Sequence, residues 1–326
     1  MSRVRLPGTD LVVTPLCLGA LNFGAPLDDR ATFDLLDRFA ALGGDFIDTA
    51  RIYSDWLPGE RHRSERLIGD WLRARRARDR IVVATKGAHP DLTHESVPRS
   101  SPAEIRADLE GSLRTLRVDV IDLYWLHRDD PARPVEHFID LLNVFVREGK
   151  IRAFGASNWF PARLRAAQAY AQRSGQLGFC ANQPFWSLGC LQANPPGYTG
   201  WVKMHAEMHA FHVATGTAVI PYTAQAKGFF TKAALPPAQR PADFAAHEFH
   251  TAANLALAAR VQRLAAAHGV TPSAVVLAYL WSRPFPVVPI LGASRPEQLD
   301  ENFAALGFRL DAAELRELEE ASASGL

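Results

Sequence analysis

Residues 46–53 read FIDTARIY. An apolar pair runs into Asp48, and Tyr53 stands five residues further on. The flanks decide what this stretch is. Upstream, DRATFDLLDRFAAL from Asp29 carries apolar residues at helical spacing until Gly43-Gly44 stops it. Downstream, SERLIGDWLRARR is a second helical pattern, with Ser64 expected as its N-cap. DFID is therefore a short strand between two helices, with its polar residues where the strand ends.

The same rhythm continues along the chain. Val- and Ile-rich runs alternate with helical patterns. LCLGA precedes the opening stretch; RIVVATK, VIDLYWLH, IRAFGASN, GFCANQPFW, TAVIPYTA and FPVVPILG follow it. The intervening segments include SPAEIRADLEGSLRTL, which opens with Ser101, Pro102 and Glu104 as a capping signature. Eight strands with helices between them imply βαβ units and a parallel sheet. In a chain of 326 residues this fits a (β/α)8 barrel, an eight-stranded parallel barrel in one domain spanning 1–326, better than a doubly wound sheet. No GxGxxG follows an early strand, which removes the Rossmann fingerprint. Two loops break the rhythm, 87–101 after the third strand and 225–250 after the seventh. Both leave the C-terminal ends of strands, where barrels of this kind carry their sites.

Bulk properties narrow the function classes. The chain is 48% hydrophobic with a formal charge of +1, so neither nucleic acid nor membrane is expected as a partner held by bulk charge. Cys17, Cys180 and Cys190 form neither a CxxC nor a metal-ligand spacing, and no metal site is expected. A reducing, cytoplasmic setting fits that cysteine usage. No apolar run approaches a membrane span, and the N-terminal residues lack a signal-peptide pattern.

In a barrel the strand ends converge on one mouth. The second gives Asp48, with Tyr53 just beyond; the third gives Lys86 and the fourth His127. A phenol titrates near 10, high for an acid at neutral pH. A neighbouring ammonium would lower that value, an aspartate would hold the ammonium charged, and a histidine would position a carbonyl oxygen. Such a set is suited to protonating a carbonyl oxygen as its carbon is reduced. Singly, Asp48 reads as a cap, Tyr53 as an ordinary aromatic and His127 as a core histidine. Lys86 at the end of an apolar strand needs a partner or a purpose.

FIDTARIYS, VVATKG, IDLYWLHR, GKIRAFGASNW, ANQPFW and PILGASRPEQLDEN occur in that order, and together they resemble the aldo-keto reductase superfamily over nearly the whole chain. The resemblance implies a (β/α)8 barrel that reduces an aldehyde or ketone, a small carbonyl or sugar-like compound, with a nicotinamide cofactor. By position it assigns Asp48, Tyr53, Lys86 and His127 to the catalytic tetrad, with Tyr53 as general acid. It assigns Asn158 and Gln183 to the carboxamide with Ser157 adjacent, Tyr222 to stacking on the nicotinamide, and Gly228 to the loop along the pyrophosphate. At the adenosine end it assigns Gly292, Ser294, Arg295, Gln298 and Asn302, where a helix N-terminus with Arg295 beside it suits a phosphate. NADPH is expected as the cofactor, with NADH as the alternative donor. Position alone puts Phe23, Trp56 and Trp159 at the substrate pocket. The remaining histidines, His89 and His212 among them, are expected on the surface or in loops. A Schiff-base lyase built on Lys86 is the rival reading, and it would leave the cofactor-like segments without a role.

Overall fold

The computed structural model describes residues 3–191 and 201–322. A two-stranded antiparallel hairpin, β1 (Val4–Arg5) and β2 (Val12–Val13), precedes eight parallel strands. These are β3 (Cys17–Gly19), β4 (Phe46–Asp48), β5 (Val82–Gly87), β6 (Ile121–Leu126), β7 (Ile151–Ser157), β8 (Ala181–Gln183), β9 (Ala218–Val219) and β10 (Ile290–Leu291). The ladder runs β10-β3-β4-β5-β6-β7-β8-β9. The segment leading into β10 returns to β9: Val219 N–H donates to Pro286 O at 2.8 Å, Val288 N–H to Val219 O at 2.9 Å and Ile290 N–H to Pro221 O at 3.0 Å. The sheet thereby curls toward closure, as a (β/α)8 fold requires. The expected strand FPVVPILG is regular only over its last two apolar residues, because Pro284, Pro286 and Pro289 have no N–H to give to a ladder.

Period-two alternation sorts each strand into two faces. Ile47, Val83, Tyr124 and Phe154 face outward and join the large core shared with the helices. Phe46, Ala84, Leu123, Ala153 and Ala181 face inward and form a second cluster, which Leu6, Leu11 and Val13 of the hairpin segment join. Two residues beyond the inward set come Asp48, Lys86, Trp125, Gly155 and Gln183. The inward register thus delivers the expected site residues to the C-terminal mouth. Gly155 leaves room for this: a Cβ there would meet the Trp125 ring at 2.3 Å and the Ala181 carbonyl at 2.7 Å.

Helices α1 (Asp29–Ala41), α2 (Arg63–Arg75), α3 (Pro102–Leu116), α4 (Val135–Arg147), α5 (Pro161–Ser174) and α6 (Ala206–Thr215) separate successive strands from β3 to β9. Ser101 caps α3 in a full capping box with Glu104. Ser64 is not a cap. It lies inside α2, which starts after His62, and its hydroxyl reaches the Ala20 carbonyl and the Thr49 hydroxyl at 2.8 Å each. The long loop after the seventh strand is more structured than its Pro-rich sequence implies. It contains a short helix, α7 (Phe229–Ala234), and 3-10 turns at Pro237–Gln239 and Phe244–Ala246. Beyond it, α8 (Ala252–His268) and α9 (Pro272–Trp281) precede β10, and α10 (Pro296–Ala304) and α11 (Ala312–Ala321) complete the described chain. The sequence pattern does not announce α8 and α9, because α8 is alanine-rich and α9 is apolar almost all round, so neither shows amphipathic contrast. No single helix among the described residues is long and apolar enough to cross a membrane.

Candidate active site

Asp48 ends β4 opposite Ala84 of the neighbouring strand β5, and Lys86 lies two residues further along β5. Both side chains are almost fully buried, and they form an ion pair. The Lys86 ammonium also donates to the Thr49 carbonyl at 2.7 Å and to the Tyr53 hydroxyl at 3.0 Å. Three donors meet three acceptors, so the ammonium is fully satisfied. The second Asp48 oxygen accepts from the Gln183 amide at 3.0 Å, which ties β8 to β4 across the barrel. Burial opposes charge on Lys86, yet the Asp48 carboxylate and Tyr53 oxygen outweigh it and hold the ammonium above its ordinary pKa. Burial also pushes the Asp48 carboxyl up, against the pull of Lys86 and Gln183.

Tyr53 sits on the turn after β4, anchored by its N–H donating to the Ala50 carbonyl at 3.1 Å. Proximity to the Lys86 ammonium alone predicts a lowered pKa for this phenol. The structure corrects the net direction: burial raises it, Lys86 opposes the rise and Asp48 adds to it. The phenol therefore keeps its proton at neutral pH. Because Lys86 donates to the phenol oxygen, the phenol's own proton remains available to a third group.

His127 follows β6 and is buried, with its ring 6.1 Å from that of Tyr53. Its Nδ1 has no partner among the described residues. Burial, then His89, Arg128 and Lys86, push its pKa well below the usual histidine range, so the ring is neutral. His89, expected on the surface or in a loop, does lie in the loop after β5. It packs at 4.7 Å from His127, ring to ring, at the mouth. Arg128 was not singled out in the sequence; its guanidinium hydrogen-bonds the His127 carbonyl at 3.3 Å. Adjacency to the strand-end histidine was the available signal for both.

The expected carboxamide set also converges. Ser157 and Gln183 are register partners on β7 and β8, and the Ser157 hydroxyl donates to the Gln183 carbonyl at 3.0 Å. Asn158 holds a left-handed backbone, φ 61°. Its amide donates to Ser157 Oγ at 3.0 Å and its oxygen accepts from the Tyr222 hydroxyl at 2.8 Å. The Tyr222 ring stands edge-on to Phe185 at 5.6 Å and to Trp201 at 5.7 Å. Gly228 adopts φ 75° at the start of α7, and Lys227 beside it forms an ion pair with Glu248. Across the mouth, Gly292 has no atom within 4 Å of where a Cβ would stand. Ser294 and Arg295 precede α10, and the Gln298 side chain turns back to accept from their N–H groups at 2.8 and 3.2 Å. Asn302 is buried and accepts from Gln225 at 2.7 Å.

The three pocket expectations separate. Trp56 is 47% exposed and stands 6.3 Å from the Tyr53 ring, at the open side of the mouth. Trp159 is 0% exposed and packs edge-on against Phe138 and Phe179 in the outer core. Phe23 is likewise 0% exposed, and its carbonyl accepts from Ser54 at 2.7 Å. Neither presents a surface to a ligand here: strand-end position does not say which way a ring turns.

Comparison with known proteins gives one consistent family. The model of the aldo/keto reductase family matches residues 15–323. A norsolorinic acid reductase of Emericella nidulans is 29% identical over 98% of this chain and 80% of its own length. An aryl-alcohol dehydrogenase of Pestalotiopsis microspora is 28% identical over 97% of this chain and 81% of its own. The crystal structure of the thermostable aldo-keto reductase Tm1743, in complex with the inhibitor epalrestat, superposes with a TM-score of 0.73 at 22% identity. It covers 99% of this chain and 100% of that one.

Proposed function

The chain belongs to the aldo/keto reductase family, and from that premise we propose that it reduces an aldehyde or ketone to an alcohol with NADPH, using Tyr53 as the general acid. The observation that carries this reading is the chain of contacts Asp48–Lys86–Tyr53, in which a charged ammonium donates to the phenol oxygen at 3.0 Å.

The residues present fit a nicotinamide cofactor. The Gln183 backbone oxygen takes the Ser157 hydroxyl and its side-chain NH2 donates to Asp48, while its side-chain oxygen accepts no hydrogen bond among the described residues, an acceptor suited to a carboxamide N–H. The ground beside Gly292 is open, and Arg295 stands at a helix N-terminus, which suits a phosphate. Asn158, Ser157 and Tyr222 would hold the nicotinamide end; Gly228, Ser294, Arg295, Gln298 and Asn302 would hold the remainder. When bound, the cofactor supplies the hydride.

The chain's own residues supply the proton and the orientation. A substrate carbonyl oxygen between Tyr53 and His127 accepts a hydrogen bond from the phenol, with the neutral His127 ring as its second partner. As the carbonyl carbon is reduced, negative charge grows on its oxygen and Tyr53 transfers its proton there. The tyrosinate left behind is stabilised by the Lys86 ammonium beside it, and Asp48 keeps that ammonium charged and fixed. A pKa raised by burial keeps Tyr53 protonated until substrate arrives; the positive charge next to it offsets the penalty only as the proton leaves. The satisfied, charged state of Lys86 supports this reading over Schiff-base chemistry, which needs a free neutral amine.

The test follows absorbance of the reduced nicotinamide with an activated aromatic aldehyde. Native protein should consume NADPH, and Tyr53→Phe should lower kcat by about 10²–10⁴-fold while cofactor binding persists. Equal rates in the two proteins would remove Tyr53 from the acid role.

A further inference from the structure

Most half-buried arginines away from the mouth are held by carboxylates, and Arg240 and Arg260 are held by backbone carbonyls instead. Arg51 pairs with Glu65 at 3.1 Å, Arg78 with Asp122 at 2.9 Å, Arg99 with Asp108 at 2.9 Å and Arg163 with Asp129 at 2.8 Å. Arg128 differs. It is half-buried at the mouth, and its one hydrogen bond among the described residues is to the neutral backbone oxygen of His127. None of the described carboxylates lies within ion-pair distance of it. Glu95, on the loop after β5, acts on it from further off and is itself exposed.

Its surroundings are those of the reacting centre. The guanidinium is electrostatically coupled to the phenols of Tyr53 and Tyr222 and to the rings of His127 and His89. These groups come from four different strand ends. A cation felt by all of them stands over the mouth, not on the outer wall. His89 brings no counter-charge: its ring is neutral, since burial first, then Arg128, disfavours a proton on it, and its Nδ1 is engaged with the Pro90 carbonyl at 2.8 Å. Half-burying a guanidinium without a counter-charge is costly, and a ligand that brings one recovers that cost. Arginine presents five donors in a planar fork matched to a carboxylate, and here only one is engaged.

We propose that Arg128 forms an anion subsite beside the reacting centre and selects carbonyl substrates that carry a carboxylate. This rests on the carbonyl-reductase reading above and deepens it by naming a substrate class. The aldehyde or ketone oxygen lies between Tyr53 and His127, the carboxylate meets the Arg128 fork, and the exposed ring of Trp56 offers an apolar face to the part between.

The experiment uses 4-carboxybenzaldehyde and its neutral methyl ester, which share ring and aldehyde. Native protein should show the higher kcat/KM with the carboxylate. In Arg128→Met the acid-to-ester ratio of kcat/KM should fall by about 10–100-fold, the scale of a charge-assisted bidentate contact. Arg128→Lys, which keeps a point charge without the fork, should recover part of it, and Glu95→Gln should raise the ratio or leave it unchanged. A second arm does not depend on turnover: binding of 4-carboxybenzyl alcohol and of its methyl ester to cofactor-loaded protein, read by tryptophan fluorescence. If neither aldehyde is reduced, the reductase reading fails and the binding arm still decides the subsite. An equal loss for acid and ester in Arg128→Met, or weaker NADPH binding as its main effect, overturns the proposal.

Discussion

The mouth between β4 and β8 and the segment 292–298 before α10 are both rich in polar groups, yet they are organised on opposite plans. At the mouth the bonds join residues far apart in sequence. Lys86 holds Asp48 and Tyr53, and Gln183 reaches back to Asp48 from β8. Asp48, Lys86 and Gln183 are almost fully buried and Tyr53 is half-buried, and barrel closure fixes their positions. In the segment the bonds are local, Gln298 with Ser294 and Arg295, and the side chains are exposed. Buried, long-range contacts pre-form a reaction geometry whatever the ligand, in line with preorganised catalysis. Exposed, short-range contacts leave side chains free to be selected by what binds. On this view the family chemistry is fixed by the barrel and cofactor preference is tuned on its rim.

The strongest way to break the contrast is to remove the central cation. Lys86→Met leaves Asp48 buried beside an apolar group and should cost about 3–5 kcal/mol in urea unfolding, along with carbonyl reduction. Adding Asp48→Asn removes the stranded charge and should restore most of the stability but none of the activity. Full stability in the single variant would mean the pair is not pre-formed. His212 offers the next effect, from a polar group with no assigned role. It was expected on the surface or in a loop, but it lies on α6 and is buried, held by Asn182 at 3.1 Å and by the Thr217 carbonyl at 2.8 Å. Burial pushes its pKa down from 6.5 to about 4. The folded state therefore binds fewer protons than the unfolded one. Its contribution is whole above about pH 6.5 and is lost as pH falls toward 4, roughly 3 kcal/mol in all. His212→Asn should flatten stability over that window; an unchanged acid limb would contradict it.

Arg295 tests the rim. Arg295→Ala should weaken NADPH binding about fivefold at low salt and less at high salt, while NADH binding stays constant. An equal change for both cofactors would place Arg295 away from the 2′-phosphate. The smallest expected effect is a near absence of one. His127 is neutral far below its usual range and Tyr53 is protonated above its own. Reduction rates limited by chemistry should change less than about twofold between pH 6.5 and 9 on account of these groups. An inflection near 6.5 that disappears in His127→Gln would show that ring titrating in the working enzyme.

Much of the site was legible because strand ends are legible. An apolar run of period two that terminates in Asp48, Lys86 or His127 announces both the strand and the residue facing its mouth. Ring orientation was not legible. Trp159 lies directly after Asn158, yet its indole turns outward to Phe138 and Phe179. Trp56, in a turn, stays half exposed beside Tyr53. The direction of the Tyr53 shift was misjudged for a related reason: spacing shows which charge is near, whereas burial depends on the residues of every strand around the mouth. Arg128 escaped notice because a cation in a polar loop looks solvated until its missing counter-charge is seen, and His89 because nothing in local spacing shows that its ring turns to His127.

Composition and periodicity alone determined the alternation of strands and helices, its count of eight, and the residue types at each strand end, because these depend on local spacing along the chain. The tertiary structure decided what depends on closure. It set which of those residues touch, that the Lys86 ammonium is fully engaged, that Phe23 and Trp159 face the core, and that Arg128 stands at the mouth without a carboxylate. Those facts are set by the distance between strands far apart in sequence, and no local pattern encodes that distance.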